Sequence, residues 1–208
     1  MCRFLLIRSE GKISPLAWLG RFAAIAERSR APDGDRQADG WGIAWLDDRN
    51  NWQIKRSLLP VWEDVKSFKE IPETKTFAVH ARSASFSQHK GNIAFNQPYI
   101  AGDYAFVFNG LLRGVSLPDM PGEIGAEKIW YLLREELKAN SSEKALENVK
   151  KTLAANSREI IALNIGLASK DGVHSLNYFT QHPEYYTLYE HNNGKIKTIC
   201  SENIFKQA

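Results

Sequence analysis

The chain has 208 residues, 43% hydrophobic and 25% charged, with a net charge of +3. That length and apolar share suffice for one sizeable core, so residues 1–208 are read as a single domain without internal repeat or linker. No run approaches the ~20 apolar residues of a membrane span, the apolar run 4–7 is too short for a secretory leader, and the basic residues interleave with acids instead of forming a nucleic-acid-binding stripe; membrane and nucleic acid are excluded as partners and a cytoplasmic location is expected.

Residues 2–8 are almost continuously apolar, as in a strand covered on both faces. Ser14 before Pro15 predicts a helix start, with the hydroxyl capping and the proline at the first position. Leu16, Leu19, Phe22 and Ala26 carry that helix to about Arg28. After a polar loop at 31–38, strands at 40–46 and 52–56 form a predicted hairpin, and a short helix is expected at 62–70. Apolar strands follow at 76–82 and 105–108, ending in His80-Ala81-Arg82 and in Asn109-Gly110. The loop between them, 83–102, is long enough to expect a function of it.

A Pro/Gly turn at 117–122 opens the second half. Ile129, Leu132, Leu133 and Leu137 mark one helix; Ser142 is expected to cap another, with Leu146, Val149 and Leu153 on one side. Strands are expected at 160–168, 174–180, 185–190 and 196–200. This order lacks alternating βα units. It predicts an α+β chain in which two mainly antiparallel sheets stack between helix layers.

Cys2 and Cys200 stand at opposite ends of the sequence and define no disulfide framework. The five histidines show no HxH or HxxxH spacing, so neither metal nor cofactor is expected. Cys2 is the residue with chemistry to offer. Trimming of Met1 would place thiol and α-amine on one residue, and an amine of pKa about 7.7–8.0 can serve as base for a thiol near 8.5. The bland alternative is an inert thiol at the start of a core strand.

Cys2 after Met1, Asp39-Gly40-Trp41-Gly42, His80-Ala81-Arg82-Ser83-Ala84-Ser85 and Phe108-Asn109-Gly110 occur in an order that resembles the glutaminase domain of class II glutamine amidotransferases. These are N-terminal-nucleophile (Ntn) hydrolases with a four-layer αββα sandwich. The likeness is greatest to small stand-alone members and implies Cys2 as nucleophile, its α-amine as base, and Asn109 with Gly110 as oxyanion hole. It implies that Arg82 clamps a substrate carboxylate, a role suited to its planar fork. His80, Ser83, Ser85 and Glu127 complete the expected substrate site.

Each assignment has a structural alternative. Asn-Gly also makes hairpin turns, an arginine leaving a strand also makes surface ion pairs, and loop serines cap turns. Trp41 fits a site wall or the core equally, His80 fits a structural hydrogen bonder, and Cys200 fits a core thiol. Members of the family carry an aspartate for the glutamine α-ammonium two positions before the glutamate matching Glu127. Here Gly125 takes its place, which leaves Glu123 or Glu127 to substitute. Gln97 stands where many relatives have histidine.

The implied substrate is glutamine or a γ-glutamyl amide, with γ-glutamyl thiol metabolites as an alternative. Ammonia would pass to a separate synthase partner. A non-catalytic binding or regulatory module keeping the fold is the competing class.

Overall fold

The computed structural model describes residues 1–205, so the last three residues of the expected 1–208 domain lie outside the described residues. The first strand, β1 (Arg3–Ile13), lies inside a sheet and shows why its sequence is apolar on both faces. Leu5 and Ile7 pack with Leu19 and Phe22 of α1 (Leu16–Arg28) on one side, whereas Phe4 and Leu6 pack with Ala105, Val107 and Ala168 of a second sheet on the other. All four β1 side chains are fully buried, which is worth about 1.5–3 kcal/mol each.

β2 (Trp41–Leu46), β3 (Trp52–Ser57) and β4 (Thr74–Ala81) follow, with a 3-10 turn at Val65–Glu70 beside α1. The second sheet begins with β5 (Tyr99–Ala101) and β6 (Tyr104–Val115). After α2 (Gly125–Leu137) and α3 (Ser142–Asn156) come β7 (Ser157–Ala168), β8 (Val173–Phe179), the single turn α4 (Pro183–Tyr186), β9 (Tyr189–Asn192) and β10 (Ile196–Cys200). One sheet has six strands in the order β3-β2-β4-β1-β10-β9, the other four in the order β5-β6-β7-β8, and the pairings are antiparallel. The amphipathic α2 and α3 cover the outer face of the smaller sheet through Ile129, Leu133, Val149 and Leu153. This is the expected α+β, four-layer αββα sandwich.

Several boundaries differ from expectation for local reasons. β1 runs on to Ile13 as an exposed overhang whose register with β4 shifts between Arg8 and Ile13. Pro15 itself is the cap of α1, and Ser14 Oγ accepts from the Leu16 N–H at 3.3 Å as a turn. Ser141, not Ser142, caps α3, because its Oγ meets the Lys144 N–H three residues on, at 3.4 Å. The expected strand at 185–190 is instead α4 followed by β9: Pro183 starts a helical turn, and Tyr185 and Tyr186 are both buried where a strand would send them to opposite faces. β6 passes through Asn109-Gly110 without turning and pairs with β7 as far as Val115. Among the described residues no helix is long and apolar enough to cross a membrane.

Candidate active site

The register Arg3↔Ala81 sets Cys2, just ahead of β1, beside Arg82, just past β4. The β2–β4 ladder continues beyond its named ends, since the Arg82 N–H donates to the Gly40 carbonyl (2.9 Å) and the Asp39 N–H to the Arg82 carbonyl (3.0 Å). Asp39 Oδ2 then accepts from the Ala84 N–H at 2.8 Å, fixing the chain as it leaves β4. Gly40 has φ 107°, and a Cβ there would lie 2.2 Å from Asn96 Nδ2, so only glycine fits. Asn96 uses that contact to donate to the Ser57 carbonyl (2.8 Å) while its Oδ1 accepts from Arg82 Nη1 (3.3 Å). Trp41 belongs to the core on the α1 side, its indole N–H bonded to Asp64 at 3.0 Å.

β6 supplies the opposite wall. Along it Ala105 and Val107 face the other sheet, and Asn109 continues that face by alternation. The Phe108 N–H donates to Gln97 Oε1 (2.6 Å) and its carbonyl is 3.2 Å from His80 Nε2, so its peptide groups point to the edge away from β7. Two residues on, Gly110 presents its N–H at that same edge. The edge is open there because β5 pairs only with Tyr104–Phe106. Gly110 is required by close packing, since a Cβ would meet the Ala162 carbonyl at 2.3 Å.

Cys2, Arg82, Ser83, Ser85, Asn109 and Gly110 all line one cavity of ≈ 400 Å³. The half-buried Cys2 has its Sγ 3.6 Å from the Ser83 carbonyl, and its N–H donates to Asn109 Oδ1 at 3.2 Å. Asn109 is 1% exposed, yet its Nδ2 has no hydrogen-bond partner among the described residues. An amide donor buried unpaired costs about 1–3 kcal/mol, and this one belongs to a side chain that lines the cavity.

Arg82 is 5% exposed and forms no ion pair among the described residues. Its Nη2 donates to the His89 carbonyl (2.7 Å) and its Nη1 to the Asn92 carbonyl (3.4 Å) and Asn96 Oδ1 (3.3 Å). These bonds hold the 83–102 loop and leave the guanidinium charge uncompensated.

The remaining expected residues are placed differently. His80 is fully buried between the sheets, outside the cavity wall; burial chiefly, with the Arg82 charge adding and the Phe108 bond opposing, drops its pKa to about 3. It is a neutral tie from β4 to β6. Glu127 is turned onto the start of α2, its Oε2 accepting from the Glu123 N–H (2.8 Å) and the Ile124 N–H (3.3 Å). Ser83 Oγ accepts from the Met1 ammonium (2.6 Å) and donates to Asp35 (2.6 Å). Burial raises Asp35, but bonds from Ser83 and the Arg36 N–H outweigh it and hold the carboxyl below its ordinary value. Among the described residues no group of three or more His, Cys, Asp or Glu is placed to hold a metal.

Sequence reasoning missed four contributors. Gln97, read only as a departure from the family, orients Phe108 and lines the cavity. Tyr185 and Gln37 hold the Met1 carbonyl at 3.0 and 3.1 Å, and neither carried a sequence signal beyond being polar in an aromatic or loop stretch. The last is an apolar arm of the cavity under α2 and α3, where Ile129 and Leu153 were legible only as helix core and Leu117 and Met120 only as part of a turn.

No family model and no curated protein matches the sequence. Solved structures do share its architecture. A glutamine aminotransferase class-II domain protein from Silicibacter pomeroyi superposes with TM-score 0.61 at 15% identity, covering 96% of this chain and 88% of its own. The glutamine phosphoribosylpyrophosphate amidotransferase from B. subtilis, complexed with ADP and GMP, gives 0.64 at 13% identity, and the allosteric regulatory enzyme of purine biosynthesis gives 0.69 at 13%. In each of these two, 96% of this chain matches 42% of the other, so the chain spans less than half their length. The chain therefore has the αββα fold of class II glutamine amidotransferase domain proteins.

Proposed function

We propose that this protein is an N-terminal-cysteine amidohydrolase that hydrolyses the side-chain amide of glutamine or of a γ-glutamyl compound. The observation that carries the reading is Asn109, whose Oδ1 accepts from the Cys2 nitrogen at 3.2 Å while its buried Nδ2 is unpaired, in the same cavity as the Cys2 thiol. Removal of Met1 would turn that backbone N–H into a free amine still beside Asn109 Oδ1. The amine takes the thiol proton, sulfur attacks the amide carbon, and the oxygen gains charge toward Asn109 Nδ2 and the Gly110 N–H. Such preorganised donors are each worth about 2.7–4 kcal/mol in the transition state. The proton returns to the leaving nitrogen, ammonia departs, and water cleaves the thioester with the same amine as base.

Arg82, buried without a carboxylate partner, supplies the charge for a substrate carboxylate. Ammonia released here would pass to a separate synthase in the manner of an amidotransferase. An electrophilic glutamine analogue incubated with Met1-free protein should label Cys2 stoichiometrically, and mapping the adduct to any other residue, or finding none, defeats the reading.

One observation favours a second reading, a binding module without turnover. Met1 is held at both ends, its ammonium by Ser83 and its carbonyl by Gln37 and Tyr185. A protein purified from its native source with Met1 retained would support it.

A further inference from the structure

The polar end of the cavity accounts for an amide and a carboxylate, and leaves its other end unexplained. Besides its polar residues the cavity is lined by Leu112 of β6, by Leu117, Met120 and Ile124 of the segment leading into α2, by Ile129 of α2 and by Leu153 of α3, which places an apolar arm between β6 and the two helices. A volume of ≈ 400 Å³ falls within the ~300–1,000 Å³ typical of sites for drug-sized ligands, which exceed one small amino acid. An apolar arm opening off a reactive thiol holds the unreactive part of the same molecule.

The charges beside this arm decide how the substrate nitrogen enters. The first turn of α2 reaches the cavity at Gly125 and Ala126, and the unpaired N–H groups of a helix start repel a cation and attract an acceptor. Arg82 and Lys128 add positive charge to the lining. Of the carboxylates at the start of α2, Glu127 is engaged by two backbone N–H groups, and the exposed Glu123 is a single negative charge in a lining that holds both Arg82 and Lys128. A free α-ammonium would meet more positive than negative charge, and leucine. An amide nitrogen, whose acyl carbonyl accepts from the helix start and whose chain lies along the arm, meets neither difficulty.

On the footing of the amidohydrolase reading above, we propose that the preferred substrates are Nα-acylated glutamine-type amides, with the acyl chain in the arm between β6 and helices α2 and α3. The reaction is hydrolysis of the side-chain amide: the C–N bond breaks, water supplies the hydroxyl of the new carboxylic acid, ammonia leaves, and the Nα-acyl bond is untouched.

The test measures ammonia release by Met1-free protein, verified by intact mass, from glutamine and its Nα-acetyl, Nα-butanoyl and Nα-hexanoyl derivatives. Burial of apolar chain predicts that kcat/KM rises with acyl length, by at least tenfold from acetyl to hexanoyl. Leu117→Asp should flatten that rise, while Leu16→Asp on the exposed side of α1 should keep it. Gly125→Asp is informative because a Cβ there meets nothing within 4 Å and a carboxylate suits a helix start, so the variant should fold. It should shift the kcat/KM ratio toward free glutamine by tenfold or more.

Cys2→Ala, titrated calorimetrically with glutamine and Nα-hexanoyl-glutamine, separates the two ideas. Turnover or Cys2 labelling with glutamine favoured over every acylated derivative overturns the acyl-arm assignment and leaves the amidohydrolase standing. Absent turnover of all four compounds with hexanoyl-glutamine still bound at least tenfold tighter than glutamine overturns the amidohydrolase and keeps the acyl arm as a binding site. Absent turnover with no preference in binding overturns both.

Discussion

Cys200 closes β10 and Cys2 lies just ahead of the neighbouring strand β1, yet the two thiols have opposite surroundings. Cys200 pairs across from Leu5, 1% exposed among side chains of the α1 core. Burial there pushes its thiol up to about 12, so it carries no thiolate at neutral pH. Cys2 lies three residues from Leu5, where β1 has ended, and its sulfur opens on a cavity with an unpaired amide donor and an uncompensated guanidinium. Whether a thiol is buried or lines a cavity is thus set by where a strand stops.

The largest effect should come from moving chemistry off the open end. Cys2→Ala should lower turnover at least ~10³-fold, because the amine then has no nucleophile to activate, whereas Cys200→Ala should leave steady-state kinetics within about twofold. Asn109→Ala should lower kcat by about 10²–10³ with KM little changed, since its donor acts once charge is on the oxygen. A Cys2-sized loss of kcat together with an unchanged rate in Asn109→Ala would break the link between thiol and amide. Arg82→Ala should act mainly on KM, by roughly 10–100-fold, the value of charge-assisted bonds to one carboxylate. Arg82→Lys should recover only part of it, because a point charge lacks the fork.

Labelling sharpens the comparison without turnover. Brief iodoacetamide treatment of the folded protein at neutral pH should modify Cys2 and spare Cys200, and peptide mapping reads the ratio. The smallest effect concerns stability. His80 is neutral when folded, with its pKa lowered from 6.5 to about 3, so the unfolded chain binds a proton over that window that the native chain does not. Stability should therefore fall as pH drops below 6.5, by at most about 1.4 kcal/mol per unit from this group. His80→Gln should be less stable near pH 7 and show a shallower acid slope in chemical denaturation.

What the sequence made legible followed from how local each signal is. The apolar run from Phe4 to Ile7 announced an inner strand because burial on both faces leaves no polar position. Cys2, Arg82 and Asn109 were legible as an ordered set, and the structure brings them to one cavity because the end of β4 and the middle of β6 both lie beside β1. The reason Asn109-Gly110 is available was not legible. It rests on β5 beginning only at Tyr99, so that no strand runs alongside β6 as far as Gly110, and that three-residue strand lay hidden in a polar loop. Glu127 also misled, because a glutamate at a helix start has a local use, capping, which competes with any use in a site. Pro183 misled in the same way, by turning two aromatic residues from a strand into a buried turn.

The central claim is that the amine of Cys2, freed of Met1, is the base for its own thiol. Two preparations of the same chain, one with Met1 removed and one retaining it, both verified by intact mass, should be compared for ammonia release from glutamine and its Nα-acyl derivatives. The account predicts turnover in the trimmed protein and at least ~10³-fold less in the protein that keeps Met1, although both carry an intact thiol. Equal turnover in the two preparations would contradict it.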